Sequence, residues 1–357
     1  VGQPMSRRVL VARLDGAGDV LLAGPAIRAV AAAPDVETVL LCGPQGAPAG
    51  RLLPGVAQVL EWSCPWILNP APESSRDLLE ALRVMLRSVG AEEAVILTSF
   101  HQSPLPLALL LREAGVRTIT GASTDYAGAL LAHRLKPGED FPEDQPEAER
   151  ALRIAAAAGF PLPAGDDGRL RLGPLPDVSH LVGTGPYIVV HPGAAVPARA
   201  WPALHHAAAV ELLTAAGFRV VVTGGPGEKE LTATVAAVAG LDLGGRTDLA
   251  ALAAVLAGAD AVVAGNTGPA HLAAAAGTPV VSLFAPVVPA IRWAPYGVPL
   301  ELLGNQHAAC HGTRARICPV PGHPCLSGVS PEQVVEAVQR LVTGVPSLQT
   351  HREMRHR

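Results

Sequence analysis

Two short segments carry residues whose types and spacing suit a reaction on a phosphorylated substrate. The first is Arg13-Leu14-Asp15-Gly16-Ala17-Gly18-Asp19, a glycine loop between a β-branched run and a helical stretch. A dinucleotide fingerprint needs a third glycine where Leu21 stands. Asp19 also argues against phosphate here. A helix N-terminus favours a carboxylate, but that carboxylate repels a phosphate brought to the same place. The loop therefore reads as a neutral-substrate site, with Arg13, Gly16 and Gly18 shaping it and Asp19 facing it. Asp19 is either an ordinary N-cap or a general base, and a cap would fix a base in position.

The second segment is Asn266-Thr267-Gly268-Pro269, between an apolar run and an alanine-rich helix, with Pro269 suited to the first helical position. No acidic residue blocks its amide groups. The turn's N–H groups, the Gly268 amide among them, and the Thr267 hydroxyl suit a diphosphate, aided by the helix dipole. His271, one turn inside, reaches the same anion. Such turns also occur with no ligand. Two further strand ends belong with it. His191-Pro192-Gly193 is followed by Arg199, whose guanidinium can bind two phosphate oxygens or serve as an ordinary surface charge. Thr223-Gly224-Gly225-Pro226-Gly227-Glu228 offers open backbone and a carboxylate that suits ribose hydroxyls. Three loops at the carboxyl ends of one parallel sheet converge on one crevice.

These loops need a frame. Short β-branched runs alternate with Ala- and Leu-rich helical stretches, the pattern of parallel sheets with crossover helices. Strands are expected at Val9–Leu14, Val39–Cys42, Val59–Trp62, Ala94–Thr98 and Thr118–Thr120, with a first helix from Val20 to Ala32. A Pro/Gly-rich stretch, 159–186, is the linker. Strands then restart at Tyr187–His191, Arg219–Thr223, Ala261–Ala264 and Val280–Phe284. The expectation is an α/β protein of two facing Rossmann-like domains with parallel sheets. They divide as 1–175 and 176–330, followed by a helix in 331–345 that packs back toward the N-terminal domain and a flexible tail, 346–357.

Composition supports this frame and excludes several classes. The chain has 357 residues, more than one core usually serves. Hydrophobic residues make up 49% and charged residues 16%, which speaks for large buried cores. With a net charge of −4, no basic block and 3% aromatics, nucleic acid is not an expected partner. No run reaches the ~18 apolar residues that a spanning helix needs. Asp15 and Asp19 break any signal-peptide core after Arg7-Arg8. The expectation is a cytoplasmic protein, with Val1 and Met5 marking residues 1–6 as a dispensable leader.

Read together, the motifs resemble glycosyltransferase family 9, the ADP-heptose:lipopolysaccharide heptosyltransferases and their relatives. The run from Ala259 through Asn266-Thr267-Gly268-Pro269-Ala270-His271 to Pro279 is similar to the family's donor signature. Arg13 to Leu21 is similar to its N-terminal motif, and His191-Pro192-Gly193, Arg199-Ala200-Trp201-Pro202 and Gly244-Gly245-Arg246-Thr247-Asp248-Leu249 follow in the family's order. The resemblance covers roughly residues 8–343. It implies a GT-B fold with an N-terminal acceptor domain and a C-terminal nucleotide-sugar donor domain. It also implies inverting transfer of a heptose or related sugar to a hydroxyl of a cell-envelope or other glycan, including a glycolipid at the inner membrane face, with no cofactor or metal required. Asp19 then supplies the base, while Gly193, Arg199, Gly224, Glu228, Asn266, Thr267, Gly268 and His271 form the donor side. Relatives commonly carry Asp where Asn266 stands and Lys where Arg199 stands. The amide removes a negative charge beside the donor, which bears on the sugar more than on the reaction class.

Two rival readings use the same residues: a nucleotide-sugar epimerase, which turns over donor without acceptor, and a donor-binding homologue without catalysis. Five cysteines, an odd number, fit a reducing compartment. Cys42 and Cys64 read as core residues. Cys310, Cys318 and Cys325, among His307, His311 and His323, read as packed thiols, a disulfide or a zinc set, although their spacings of eight and seven are not close pairs.

Overall fold

The computed structural model describes residues 7–237 and 239–344. The leader and tail readings therefore lie outside the described residues. The chain divides into two compact units, the first running to Gly173 and the second starting at Pro174. Each is described by itself.

In the first unit, six parallel strands form one sheet: β1 (Arg7–Arg13), β2 (Val36–Cys42), β3 (Gln58–Glu61), β4 (Glu93–Ile96), β5 (Thr118–Ala122) and β6 (His133–Leu135). Their order is β3-β2-β1-β4-β5-β6. Val9, Leu10, Val11 and Ala12 of β1 are all buried without alternation, because helices cover both faces. Register is fixed by pairs such as Val9↔Thr38 on one side and Val9↔Glu93 on the other. The helix expected over 20–32 is two helices, Ala17–Leu22 and Gly24–Ala31. Pro25 has no N–H to continue the first, so the chain restarts there. Helix Arg76–Val89 is capped by Ser75, which accepts from the Leu78 N–H at 3.1 Å, and closed by Gly90 at φ 64.

The second unit repeats the plan with β7 (Ile188–His191), β8 (Val220–Val222), β9 (Leu241–Asp242), β10 (Ala261–Gly265), β11 (Val280–Leu283) and β12 (Leu300–Leu303). The order β12-β11-β10-β7-β8-β9 is the first sheet's order counted from β7. Its core gathers Val190, Trp201, Val222, Val263, Val281 and Leu326. The C-terminal helix, Pro331–Thr343, buries Val334, Ala337 and Val338 in the core of the second unit, against helix Ala203–Ala215 and strands β10 to β12. Those three positions form one apolar helical stripe, and this sheet face receives it.

Each sheet has one point where strand order reverses: between β1 and β4, and between β7 and β10. In open parallel sheets, ligands bind at the carboxyl ends of such strands. Arg13 ends β1 and Gly16 to Asp19 follow it, Gly193 and Arg199 follow β7 and the Asn266 turn follows β10, while Gly224 and Glu228 follow the neighbouring β8.

Candidate functional site

In the first unit, β1 ends on Arg13, a guanidinium only 3% exposed. A buried charge requires partners, and three carboxylates surround it. Arg13 Nη2 donates to Asp19 Oδ1 at 2.8 Å, Nε lies 3.0 Å from Asp15 Oδ2, and Nη1 lies 3.7 Å from Glu147 Oε2. Nη2 also donates to Ser99 Oγ at 2.7 Å. Burial opposes the Arg13 charge, but Asp15, Asp19 and Glu147 outweigh it and hold the guanidinium above its ordinary value. Burial pushes the Asp15 carboxyl up, with Arg13 opposing and the Asp19 charge adding to the effect.

Asp19 does not cap the helix. Gly16 is the N-cap, in extended conformation, and Asp19 falls in the first turn of Ala17–Leu22 with its side chain on Arg13. Gly18 takes the second helical position. The β4 end, which sequence reading passed over, closes the cluster. Gln102 Nε2 donates to Asp15 Oδ1, and Gln102 Oε1 accepts from the Ser99 N–H at 3.0 Å. Arg150, also buried, donates to the Thr98 carbonyl. The available signal was Arg13 itself, since a cation ending a buried apolar strand demands polar partners from elsewhere in the fold.

In the second unit, β10 ends at Gly265 and the turn Asn266-Thr267 opens helix Gly268–Ala275. Thr267 is the N-cap residue, and Pro269 sits second in the helix rather than first. Asn266 is 4% exposed, and its Nδ2 donates to the Ala285 carbonyl at 3.4 Å. Arg199 Nη1 donates to the Asn266 carbonyl, also at 3.4 Å. The structure thus brings Arg199 and the turn together across 67 residues. His271 is buried in the same helix.

Gly193, after β7, and Gly224, after β8, meet the Glu228 side chain. A Cβ on Gly193 would lie 2.1–2.5 Å from the Glu228 carboxylate, and one on Gly224 would lie 2.5 Å from Thr232 Cγ2. Glycine at both positions is a matter of space. Glu228 Oε2 accepts from the Gly225 N–H at 2.7 Å and lies 3.9 Å from His191 Nε2. Burial pushes His191 down to about 4, with Glu228 opposing. His191 is therefore neutral near pH 7, and its Nδ1 lies 3.0 Å from Thr223 Oγ1. Burial also lowers His206, at 4.7 Å edge-on to Trp201, to about 3.

Cys310 and Cys325 are each 1% exposed, their thiols hydrogen-bonded to one another, and all five cysteines are free thiols. Among the described residues, no group of three His, Cys, Asp or Glu is placed to hold a metal ion, so Cys310, Cys318 and Cys325 are not gathered as a zinc set. No helix among the described residues is long and apolar enough to cross a membrane.

The profile of glycosyltransferase family 9 (heptosyltransferase) matches residues 86–322. The chain belongs to glycosyltransferase family 9. The match takes in every second-unit site residue, while Arg13 to Asp19 precede it. Lipopolysaccharide heptosyltransferase 1 of Pseudomonas aeruginosa is 31% identical over 248 residues, 67% of this chain and 64% of that relative's length. Lipopolysaccharide heptosyltransferase 3 of Escherichia coli is 30% identical over 116 residues, 31% of this chain and 34% of that protein. The match thus spans under two thirds of either relative. The solved E. coli ADP-heptose lps heptosyltransferase II has a TM-score of 0.72 at 20% identity, over 94% of this chain and 99% of that one. A glycosyl transferase family 9 structure from Veillonella parvula reaches 0.76 at 17% identity, over 96% and 99%. These likenesses establish the GT-B fold, with its α/β twin Rossmann-like units.

Proposed function

We propose that this chain is an inverting glycosyltransferase that moves a heptose or related sugar from a nucleotide-diphosphate donor to a hydroxyl of a cell-envelope glycan or glycolipid. The observation that carries this reading is the Arg199 guanidinium beside the Asn266-Thr267-Gly268 turn at the second sheet's reversal point. A cation next to a helix N-terminus suits an anion such as a diphosphate.

In this reading the second unit holds the donor. Arg199, the Thr267 hydroxyl and the Gly268 N–H meet the departing diphosphate, with His271 in support. That set supplies the positive charge without a metal. Glu228 accepts from ribose hydroxyls beside Gly193 and Gly224. The first unit takes the acceptor, and Asp19 removes its proton as the hydroxyl oxygen attacks the anomeric carbon. The sugar passes through an oxocarbenium-like state, and a positioned base contributes about 10²–10⁴-fold. Arg13 aims Asp19 through its 2.8 Å hydrogen bond. The protein works in the cytoplasm, in peripheral contact with the membrane where the acceptor is a glycolipid.

The test is a thermal-shift screen against ADP-, GDP-, UDP- and dTDP-sugars, followed by turnover of the stabilising donor with and without glycan acceptors. Nucleotide release that depends on acceptor supports transfer. Donor turnover without acceptor points to an epimerase, and binding with no turnover points to a homologue without catalysis.

A further inference from the structure

Arg199 stands on a three-residue 3-10 turn, Pro197–Arg199, too short to fix a guanidinium by its own hydrogen bonds. The turn is held by the loop between β12 and the C-terminal helix. Ala198 is fully buried, and its N–H donates to the Arg316 carbonyl at 2.9 Å. Its carbonyl lies 3.1 Å from His323 Nε2. A carbonyl only accepts, so Nε2 carries the hydrogen and donates. Both backbone polar groups of the residue before Arg199 are therefore bound by one loop.

That loop is itself anchored. Gly312 N–H donates to the Pro286 carbonyl at 2.9 Å, Arg314 N–H to Val287 at 2.8 Å, and Asn305 N–H to Cys325 at 2.9 Å. The Cys310–Cys325 thiol contact lies in the core beneath it. His323 has φ 53, a conformation that residues other than glycine seldom adopt. The sequence thus keeps an imidazole where glycine is easier to accommodate. On its other side, the Arg199 carbonyl backs onto Gly265, whose Cβ would lie 3.2 Å away, and Nη1 donates to Asn266. Arg199 links the loop-held turn to the strand end.

We propose that His323 is a positioning residue for donor binding: by holding the Ala198 carbonyl, it sets the Arg199 guanidinium against the Asn266–Gly268 turn. The inference rests on the donor reading of that turn. His323→Gly keeps the left-handed backbone and removes the donor group, whereas His323→Gln restores a side-chain N–H. The probe is whichever of ADP, GDP, UDP and dTDP binds the wild type most tightly by calorimetry. His323→Gly should weaken it about 5-fold, His323→Gln should recover most of the loss, and both should melt within a few degrees of wild type. In an Arg199→Ala background, His323→Gly should have no further effect, because it acts through that guanidinium. If Arg199→Ala weakens binding but His323→Gly does not, or if the two losses add, the positioning role is overturned and the donor site stands. If Arg199→Ala binds as wild type, the donor reading falls and this inference with it.

Discussion

Arg13 holds Asp19 by a 2.8 Å ion pair from a guanidinium 3% exposed, while the Asp19 side chain is 27% exposed. The cation is fixed inside the sheet and the carboxylate reaches outward from it. That arrangement suits the proposed base, which must be held in place yet meet a substrate. Asp19→Asn keeps the shape and removes the basicity. It should lower kcat by about 10²–10⁴-fold and leave nucleotide affinity unchanged, because the proposed donor residues belong to the other unit. Near-wild-type turnover by this variant would remove Asp19 from the chemistry.

Arg199→Ala should weaken nucleoside-diphosphate binding by roughly 10–100-fold, the scale of a lost hydrogen bond to a charged group. Arg199→Lys keeps the charge without the fork and should fall between the two. Calorimetry with nucleoside diphosphate measures both, and equal affinities in all three proteins would contradict the assignment.

The contact between Gly193 and Glu228 gives a rescue experiment. Gly193→Ala places a methyl where the Glu228 carboxylate lies, displacing it from the Gly225 N–H. Nucleotide affinity should drop about 10-fold. In a Glu228→Ala background the methyl has room, so Gly193→Ala should add little further loss. Equal losses in both backgrounds would place the clash elsewhere.

Stability of the second unit should depend on mild acid. His191 and His206 sit at about 4 and about 3 when folded, against 6.5 when exposed. Between those values the unfolded chain binds protons that the folded unit refuses, so stability is full above pH 6.5 and declines as pH falls toward 4 and then 3. The melting temperature should fall by roughly 5–10 °C over that range. His206→Gln should flatten the decline. In the first unit, Asp166, held at about 2 by its paired bonds to Arg28 and opposed by burial, acts in a lower window. Its contribution is present above pH 4 and disappears toward pH 2.

Thiol labelling tests the packing of the cysteines. Burial pushes Cys42, Cys64 and Cys325 up to about 12, and Cys310 is 1% exposed. Cys318 alone is partly exposed. Native protein at pH 8 should therefore alkylate first at Cys318, as read by peptide mass spectrometry.

The central strands were legible because burial on both faces leaves an unbroken apolar run, as in Ile188-Val189-Val190. The strands that escaped, β6, β9 and β12, are three of the four sheet edges, the fourth, β3, having been read at Val59–Trp62. His133-Arg134-Leu135 and Leu241-Asp242 are short and polar because an edge strand faces water along one side. The glycine loops and Asn266 turn were readable because each sits at a strand–helix boundary. What surrounds Arg13 was not, since Ser99, Gln102 and Glu147 come from distant segments and no local period marks them. The Asp19 cap and the single helix over 20–32 failed for one reason: local propensity does not reveal that Gly16 and Pro25 divide the segment differently.

The shared strand order of the two sheets has a practical consequence for redesign. One frame carries the Arg13–Asp15–Asp19–Glu147 cluster in one copy and the Arg199–Asn266 contact in the other, so the frame does not dictate the polarity of what it displays. Variation confined to residues 192–199, 224–228 and 266–268 should, on the proposed donor reading, alter which activated sugar is accepted while leaving the strands that carry those loops untouched. A small combinatorial library at these positions, screened on nucleotide preference, is the economical route to a new donor.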